Sequence, residues 1–345
     1  MNLSDISFKI FIFVTFSLLF FLSSYILFDI SDPYLTDKFY ISWLASFKDL
    51  CLTNNVSTDS VIQVAMSTIK APDPFANLVG LASSCINGSD EYAILYAYSV
   101  LIIFLLSLSV DLKKNNLGLQ LLLLFSLCLF SFYWFVLFNI THRLKIAFFF
   151  LILSFYFSIS RPKLSKYLFV ASIFSHYTIL IIYPLIYLVD PKYKRVPQFS
   201  VSELLKSIAF FILLIGLFVF QTIDLEADSV MIMLNSKFPF INGRYDILLL
   251  AFIAIVILSE KLELALYKYR NIFILIFYGI AFVYLGPSRL LQLVYLTAFV
   301  FVFFNPNHLR VYINGRVNYL VVCFYITAIY DFGKSISLYI SILYP

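Results

Sequence analysis

Apolar runs of about 15 to 23 residues recur along the whole of this 345-residue chain. A helix needs roughly 20 consecutive apolar residues to cross the hydrocarbon core of a bilayer. Hydrophobic residues make up 62% of the sequence and charged residues 12%, about half the charge of an ordinary soluble domain. The pattern therefore predicts an all-α polytopic membrane protein, a single integral membrane domain over residues 1–345. About 9–10 transmembrane helices are expected. Spans fall near 7–28, 92–110, 117–138, 144–160, 204–223, 245–259, 272–285, 290–304 and 317–331. A large outer loop covers 30–91. The net charge of +5 is small and suits basic cytoplasmic loops, not a nucleic-acid surface.

The first run, Ile6–Phe28, is longer than the apolar part of a cleavable leader. No clear small-x-small site precedes the acidic Asp29-Ile30-Ser31-Asp32, so the run reads as an uncleaved span. No internal repeat is visible, which counts against an inverted-repeat transporter.

The segment 167–189 sits between two basic stretches, Arg161–Lys166 and Asp190–Arg195. If it crosses once, one stretch must lie outside. If it dips in and returns, both are cytoplasmic. The re-entrant arrangement places 15 of the 24 Lys and Arg residues inside, and a simple span only about 10. The positive-inside rule favours the first. Pro184 and the polar Ser175-His176-Tyr177-Thr178 suit a broken or re-entrant segment, which is tolerated at membrane depth where it faces protein or water. A straight helix is the alternative.

With the N-terminus inside, the segments 30–91, 139–143, 224–244 and 286–289 and the C-terminal tail fall outside. Three arginines then sit on that outer face, each at the edge of an apolar run: Arg143, Arg244 and Arg289. Guanidinium groups grip phosphate bidentately and stay charged when partly desolvated. Three around one mouth suit a pyrophosphate. Alternatively each snorkels to headgroups or pairs with an acid such as Asp246.

His176 is the histidine placed deep in an apolar run. It is a candidate general base, or a residue hydrogen-bonded between helices. His142, beside Arg143, is a second candidate base, expected to face the outer cavity. Asp29, Asp32 and Asp37 follow the first span, with Tyr34 and Tyr40 interleaved. A carboxylate there suits sugar hydroxyls or base catalysis, and a solvated acidic loop is the bland reading. Asp73 precedes Pro74 and an amphipathic stretch, Phe75–Cys85, for which a helix N-cap is the simple role. Cys51 and Cys85 are the two outer cysteines, and a disulfide between them is possible if the outside is oxidising. Cys128 and Cys323 read as packing residues. No Cys/His metal spacing, P-loop or dinucleotide fingerprint occurs, and no cofactor or metal is expected.

Several of these pieces resemble the EpsG-type branch of the Wzy-like polysaccharide polymerases. Asp32 to Tyr40 follows the first span. Asp73-Pro74-Phe75 is similar to a family Glu-Pro-x-Phe element. His142-Arg-Leu-Lys-Ile-Ala147 resembles a Leu-Arg-Gln-x-x-Ala segment, and Ala171-Ser-Ile-Phe-Ser-His-Tyr-Thr178 an Ala-x-x-x-His-x-Ser/Ala segment. Gly286–Leu290 is similar to a Gly-Arg element before a late span. Asp73 stands for Glu, Lys145 for Gln, and His142 where an apolar residue is usual. The resemblance spans about 30–290 in short motifs.

The resemblance implies a metal-independent polymerase of O-antigen, capsule or exopolysaccharide in the bacterial inner membrane. Its substrate is an oligosaccharide linked to undecaprenyl pyrophosphate. It moves the growing glycan onto the non-reducing end of an incoming unit at the outer face. Flippase and chain-length regulator proteins are its implied partners, with membrane lipid. Arg143, Arg244, Arg289, Tyr40 and Asp73 are expected to bind substrate, and His176, His142 and Asp32 to carry the chemistry. The alternatives are a lipid-linked oligosaccharide flippase or transporter, a polyprenyl-phosphate-sugar-dependent glycosyltransferase, or a membrane acyltransferase.

Overall fold

In a computed structural model of the chain the first apolar run folds as one helix, α1 (Leu3–Phe28). The described residues are 3–28, 37–54, 56–57, 59–61, 63–64, 74–86, 91–111, 117–139, 141–176, 178–179, 244–259, 286–304, 312–313, 316–317 and 319–343. The expected spans 204–223 and 272–285 lie outside them. Ile12, Phe16 and Phe20 recur every fourth residue on α1 and are buried, because that spacing stacks side chains on one helical face. Ile10, Phe11, Val14, Leu18, Phe21 and Leu22 are exposed. A wide apolar face with no protein cover is what a lipid-facing helix presents.

Two helices among the described residues are long and apolar enough to cross a membrane: Ser4–Tyr25 within α1, and Pro287–Phe304. A third counts if a bent pair forms one span. The described chain is otherwise helical apart from one two-residue hairpin, with Tyr312 opposite Val317 and Ile313 opposite Arg316.

The chain divides into two units, described separately. The first comprises residues 1–179, 299–309 and 328–345, and the second 180–298 and 310–327. In the first, α1 packs on α4 (Glu91–Ser109) and α5 (Leu117–Leu129). Lys9 at the start of α1 donates to the Leu108 carbonyl at the end of α4, at 2.8 Å, so these two helices run antiparallel. α6 (Phe132–Asn139) leads to α7 (His142–Phe157) and α8 (Pro162–Ser175), which form a tight antiparallel hairpin through a turn at 158–160.

The expected outer loop contains two helices, α2 (Asp37–Leu52) and α3 (Pro74–Ser84), clasped by a Cys51–Cys85 disulfide. Helix α3 begins at Pro74, where a fixed φ suits the first helical position. Trp43, Leu44 and Phe47 of α2, Ala76 of α3 and Ile146 of α7 form one apolar cluster. This cluster docks the clasp on the start of α7. The Trp43 indole N–H donates to Asn77 Oδ1 at 3.0 Å, so its one polar atom is satisfied.

Three boundaries differ from the expected ones. The single run 117–138 is two helices, α5 and α6, bent by 60° at Phe130–Ser131. Ser131 Oγ accepts from the Trp134 N–H at 3.3 Å and so caps α6. In the segment expected to be broken, 167–189, the helix starts at Pro162, inside the basic stretch, and stops at Ser175, while residues 177 and 180–189 lie outside the described residues. The last helix, α11 (Tyr319–Leu343), continues well past residue 331 and places Asp331 and Lys334 mid-helix. The first charge does not end the helix because it has partners. Asp331 accepts from the Tyr133 N–H at 2.9 Å, and Lys334 lies 4.6 Å from the Tyr330 ring centroid and 5.1 Å from that of Tyr133.

The second unit holds α9 (Arg244–Ser259), the first part of α10 (Pro287–Phe304), the small hairpin and the start of α11. Tyr295 and Phe324 stack there with ring centroids 5.8 Å apart.

Candidate functional site

All three arginines lie in the first turn of a helix. Arg143 is the second residue of α7, Arg244 the first of α9 and Arg289 the third of α10. A helix start carries unpaired N–H groups and a partial positive charge, so acids belong there and bases work against the dipole. Helix α7 opens with His142, Arg143 and Lys145. It has no acid in its first turn, and its N-cap, Thr141, makes no side-chain cap. That concentration of positive charge is what an anion would relieve.

The α7–α8 hairpin sets Arg143 and His176 at the same level. Across it, Ser154 and Ser165 exchange hydroxyl-to-carbonyl bonds at 2.8 and 2.9 Å, and Ser172 Oγ donates to the Ala147 carbonyl at 2.9 Å. Both helices rise equally per residue. Four residues back from Ala147 is Arg143, and four on from Ser172 is His176, so the two share one level at the open end of the hairpin.

His176 is the C-cap of α8, with φ −160° and ψ 113°. Its Nδ1 lies 2.8 Å from Thr178 Oγ1 and 3.4 Å from the Thr178 backbone nitrogen. A backbone N–H can only donate, so Nδ1 accepts and the ring proton sits on Nε2. His176 as placed is a neutral donor more than a ready base.

His142 corrects the sequence expectation, because it is buried, 2% exposed, and does not face an open cavity. The space beside it, lined by Trp43, Gly80, Ser83, Tyr98 and Ile146 among others, is about 10 Å³, room for one water. The clasp covers it. His142 Nδ1 lies 3.0 Å from Lys145 Nζ. An ammonium donates, so this imidazole too is neutral with its proton on Nε2. His142 precedes the apolar run 144–160. Burial, and then the Lys145 charge, hold its pKa well below the usual histidine range.

In the sequence Lys145 stands out only as a departure from a motif. It is fully buried and also lies 5.5 Å from the Tyr96 ring centroid. The available signal was a third base in the first turn of a helix without acids. Asp331 and Lys334 were also missed, because the last span was ended at the charge.

In the second unit, Ser288 Oγ donates to Asp246 Oδ2 at 2.5 Å. Ser288 adjoins Arg289 and Asp246 is two residues from Arg244, so this bond joins the starts of α9 and α10. Gly286 has φ 78°, a left-handed conformation that favours glycine, and its carbonyl accepts from the Leu290 N–H at 3.1 Å. Pro287 then opens α10. Arg289 is exposed, and Asp246 is fully buried.

The structure thus sets Arg143 and His176 at one level of the α7–α8 hairpin in the first unit, and joins the starts of the helices bearing Arg244 and Arg289 in the second. Tyr40 lies on α2. Asp32 and Asp73 lie outside the described residues. Among the described residues no group of three or more His, Cys, Asp or Glu is placed to hold a metal ion.

Compared with known proteins, the chain matches no family model, no curated protein and no solved structure.

Proposed function

We propose that this chain is a polytopic bacterial inner-membrane polymerase of lipid-linked oligosaccharide units, of the EpsG-type, Wzy-like kind. The observation that carries the reading is the first-turn position of Arg143, Arg244 and Arg289. Each couples a permanent guanidinium charge to a helix start, where anions are favoured. The reaction needs such a clamp. An acceptor hydroxyl of the incoming unit attacks the anomeric carbon of the growing chain. The bond from that carbon to the lipid pyrophosphate breaks, and the hydroxyl proton passes to a base. Charge develops on the leaving pyrophosphate, where the arginines act.

The tautomers redistribute the remaining roles. His176, neutral with its proton on Nε2 and level with Arg143, is suited to donate to the pyrophosphate. Asp32 keeps the role of base, and Tyr40 and Asp73 that of sugar contacts. His142 supports the start of α7 from within. A disulfide in the clasp accords with an oxidising outer face.

The experiment is substitution of each arginine by Ala and by Lys in the native producing strain, with polymer length read on gels. The expected result is loss of long polymer with Ala and partial retention with Lys. Full-length polymer in all three Ala variants would overturn the clamp. The break in α5–α6 favours a second reading, a transporter, because broken spans line many transport sites. A deletion strain separates the two. Single units accumulating at the outer face support the polymerase, and units held inside support the transporter.

A further inference from the structure

A break inside an apolar span frees backbone groups that lipid cannot satisfy, and their partners reveal what the break is for. At the end of α5 the Cys128 carbonyl accepts from Ser23 Oγ at 2.7 Å and the Leu129 carbonyl from Tyr339 OH at 2.8 Å. At the start of α6 the Asp331 carboxylate and Ser131 Oγ accept N–H groups. The break is therefore held by side chains from α1, α11 and its own linker. Between them lies a cavity of about 10 Å³, lined by Ser23, Ser131, Asn139, Ser335 and Tyr339 together with apolar residues.

The polar lining is one-sided. The hydroxyl protons of Ser23 and Tyr339 are spent on carbonyls, and that of Ser335 points to the Asp331 carbonyl at 3.4 Å. The Asn139 side-chain amide donates to the Phe135 carbonyl at 3.1 Å. Asn139 is 3% exposed, and its Oδ1 has no hydrogen-bond partner among the described residues. Apart from the hydroxyl proton of Ser131, whose Oγ accepts from the Trp134 N–H, what remains for an occupant is a set of oxygen lone pairs. A donor or a cation is what such a set receives.

The geometry points to a binding site for one small monovalent cation of sodium size, held by Asn139 Oδ1 and the hydroxyl oxygens of Ser23, Ser335 and Tyr339. The volume admits about one water-sized body. No carboxylate lines the cavity, so the site lacks the charged oxygens that calcium takes, and magnesium gives up its water reluctantly. The carbonyl end of α5 lies against the cavity and favours a positive charge. The opposing charges are accounted for. The Asp331 carboxylate offsets the positive start of α6, and the Lys334 ammonium lies over the rings of Tyr330, Tyr133 and Phe132. The site does not depend on the proposed polymerase reaction.

The test uses the full-length protein purified in detergent in a sodium-free choline buffer. Its unfolding midpoint is followed against NaCl, KCl and choline chloride at constant ionic strength. The expected result is a saturable rise with sodium, smaller with potassium and absent with choline, and lost in Asn139→Leu. Equal midpoints in all three salts, as a resident water would give, overturn the site. So does a sodium response that survives in Asn139→Leu. If that variant does not fold, Asn139→Asp decides. A carboxylate at the site should lower the sodium concentration for half-effect at least tenfold, and an unchanged half-effect overturns the proposal.

Discussion

Ser172 Oγ donates to the Ala147 carbonyl at 2.9 Å and ties α8 to α7 four residues short of His176 and Arg143. Ser172 is fully buried, so the bond exists only because both helices approach closely there. Ser172→Ala keeps the approach and loses the bond, at a cost of about 1 kcal/mol. Ser172→Leu forces the helices apart, costs roughly 1–3 kcal/mol and separates the two groups at the hairpin's open end. The alanine variant should melt a few degrees lower. On the proposed polymerase reading it should make polymer of nearly normal length, and the leucine variant short polymer. Normal polymer from a stable leucine variant would dissociate the hairpin register from activity.

The clasp depends on the absence of one side chain. A Cβ added at Gly80 would lie 2.7 Å from two atoms of the Trp43 ring. Trp43 is buried and anchored by its bond to Asn77, so it cannot step aside. Gly80→Ala should therefore destabilise the clasp, and combining it with Trp43→Phe should recover part of the loss. Thermal melts of the single and double variants measure this coupling. Additive losses would mean that the two residues do not meet.

The disulfide joins cysteines 34 residues apart with Cα atoms 5.4 Å from each other. A closed loop of that length restricts the unfolded chain by roughly 3–4 kcal/mol. Cys51→Ser, Cys85→Ser and the double variant should lose the same stability, since each removes one and the same bond. Reductant should lower the melting temperature of the natural protein and leave the variants unchanged. A reductant-insensitive natural protein would mean that the bond does not form.

Asp331 holds the start of α6 through the Tyr133 N–H at 2.9 Å, while itself 1% exposed. Asp331→Asn preserves an acceptor of the same shape. Asp331→Ala leaves a buried N–H without its partner, a cost of about 1–3 kcal/mol. The order of melting temperatures should be natural, then Asn, then Ala. An alanine variant as stable as the asparagine one would show that the contact contributes nothing.

What the sequence revealed followed from strong periodic or steric signals. The apolar runs located α1 and most of α10, Pro74 marked a helix start, and the polar patch at 175–178 marked the end of α8. What it concealed lay in tertiary partners. Beyond the local Ser131 cap, nothing near Phe130–Ser131 shows a 60° bend, because the other groups that satisfy it come from Ser23, Asp331 and Tyr339, remote in sequence. Helix α11 was cut short for the same reason. Its charges are tolerable only beside the α6 start and the aromatic rings that receive them. The arginines were legible as anomalies. Their common placement in helix first turns required the boundaries themselves.

His142 gives the protein an acid-sensitive region. Its folded pKa is held below its unfolded value of about 6.5, first by burial and then by Lys145. As pH falls, the unfolded chain therefore takes up the proton first. The stabilisation from keeping the ring neutral is fully present above about pH 6.5 and is lost progressively below it, by up to about 1.4 kcal/mol per pH unit. Most carboxylates do not titrate until lower pH, so the window near pH 6.5 to 5.5 reports on histidine. His142→Gln keeps an acceptor for the Lys145 ammonium and cannot take up a proton. The natural protein should lose several degrees of melting temperature across that window, and the Gln variant should lose much less. A natural protein equally stable at pH 7.5 and 5.5 would show that the imidazole is not enclosed by the clasp, and α7 would then begin in contact with water.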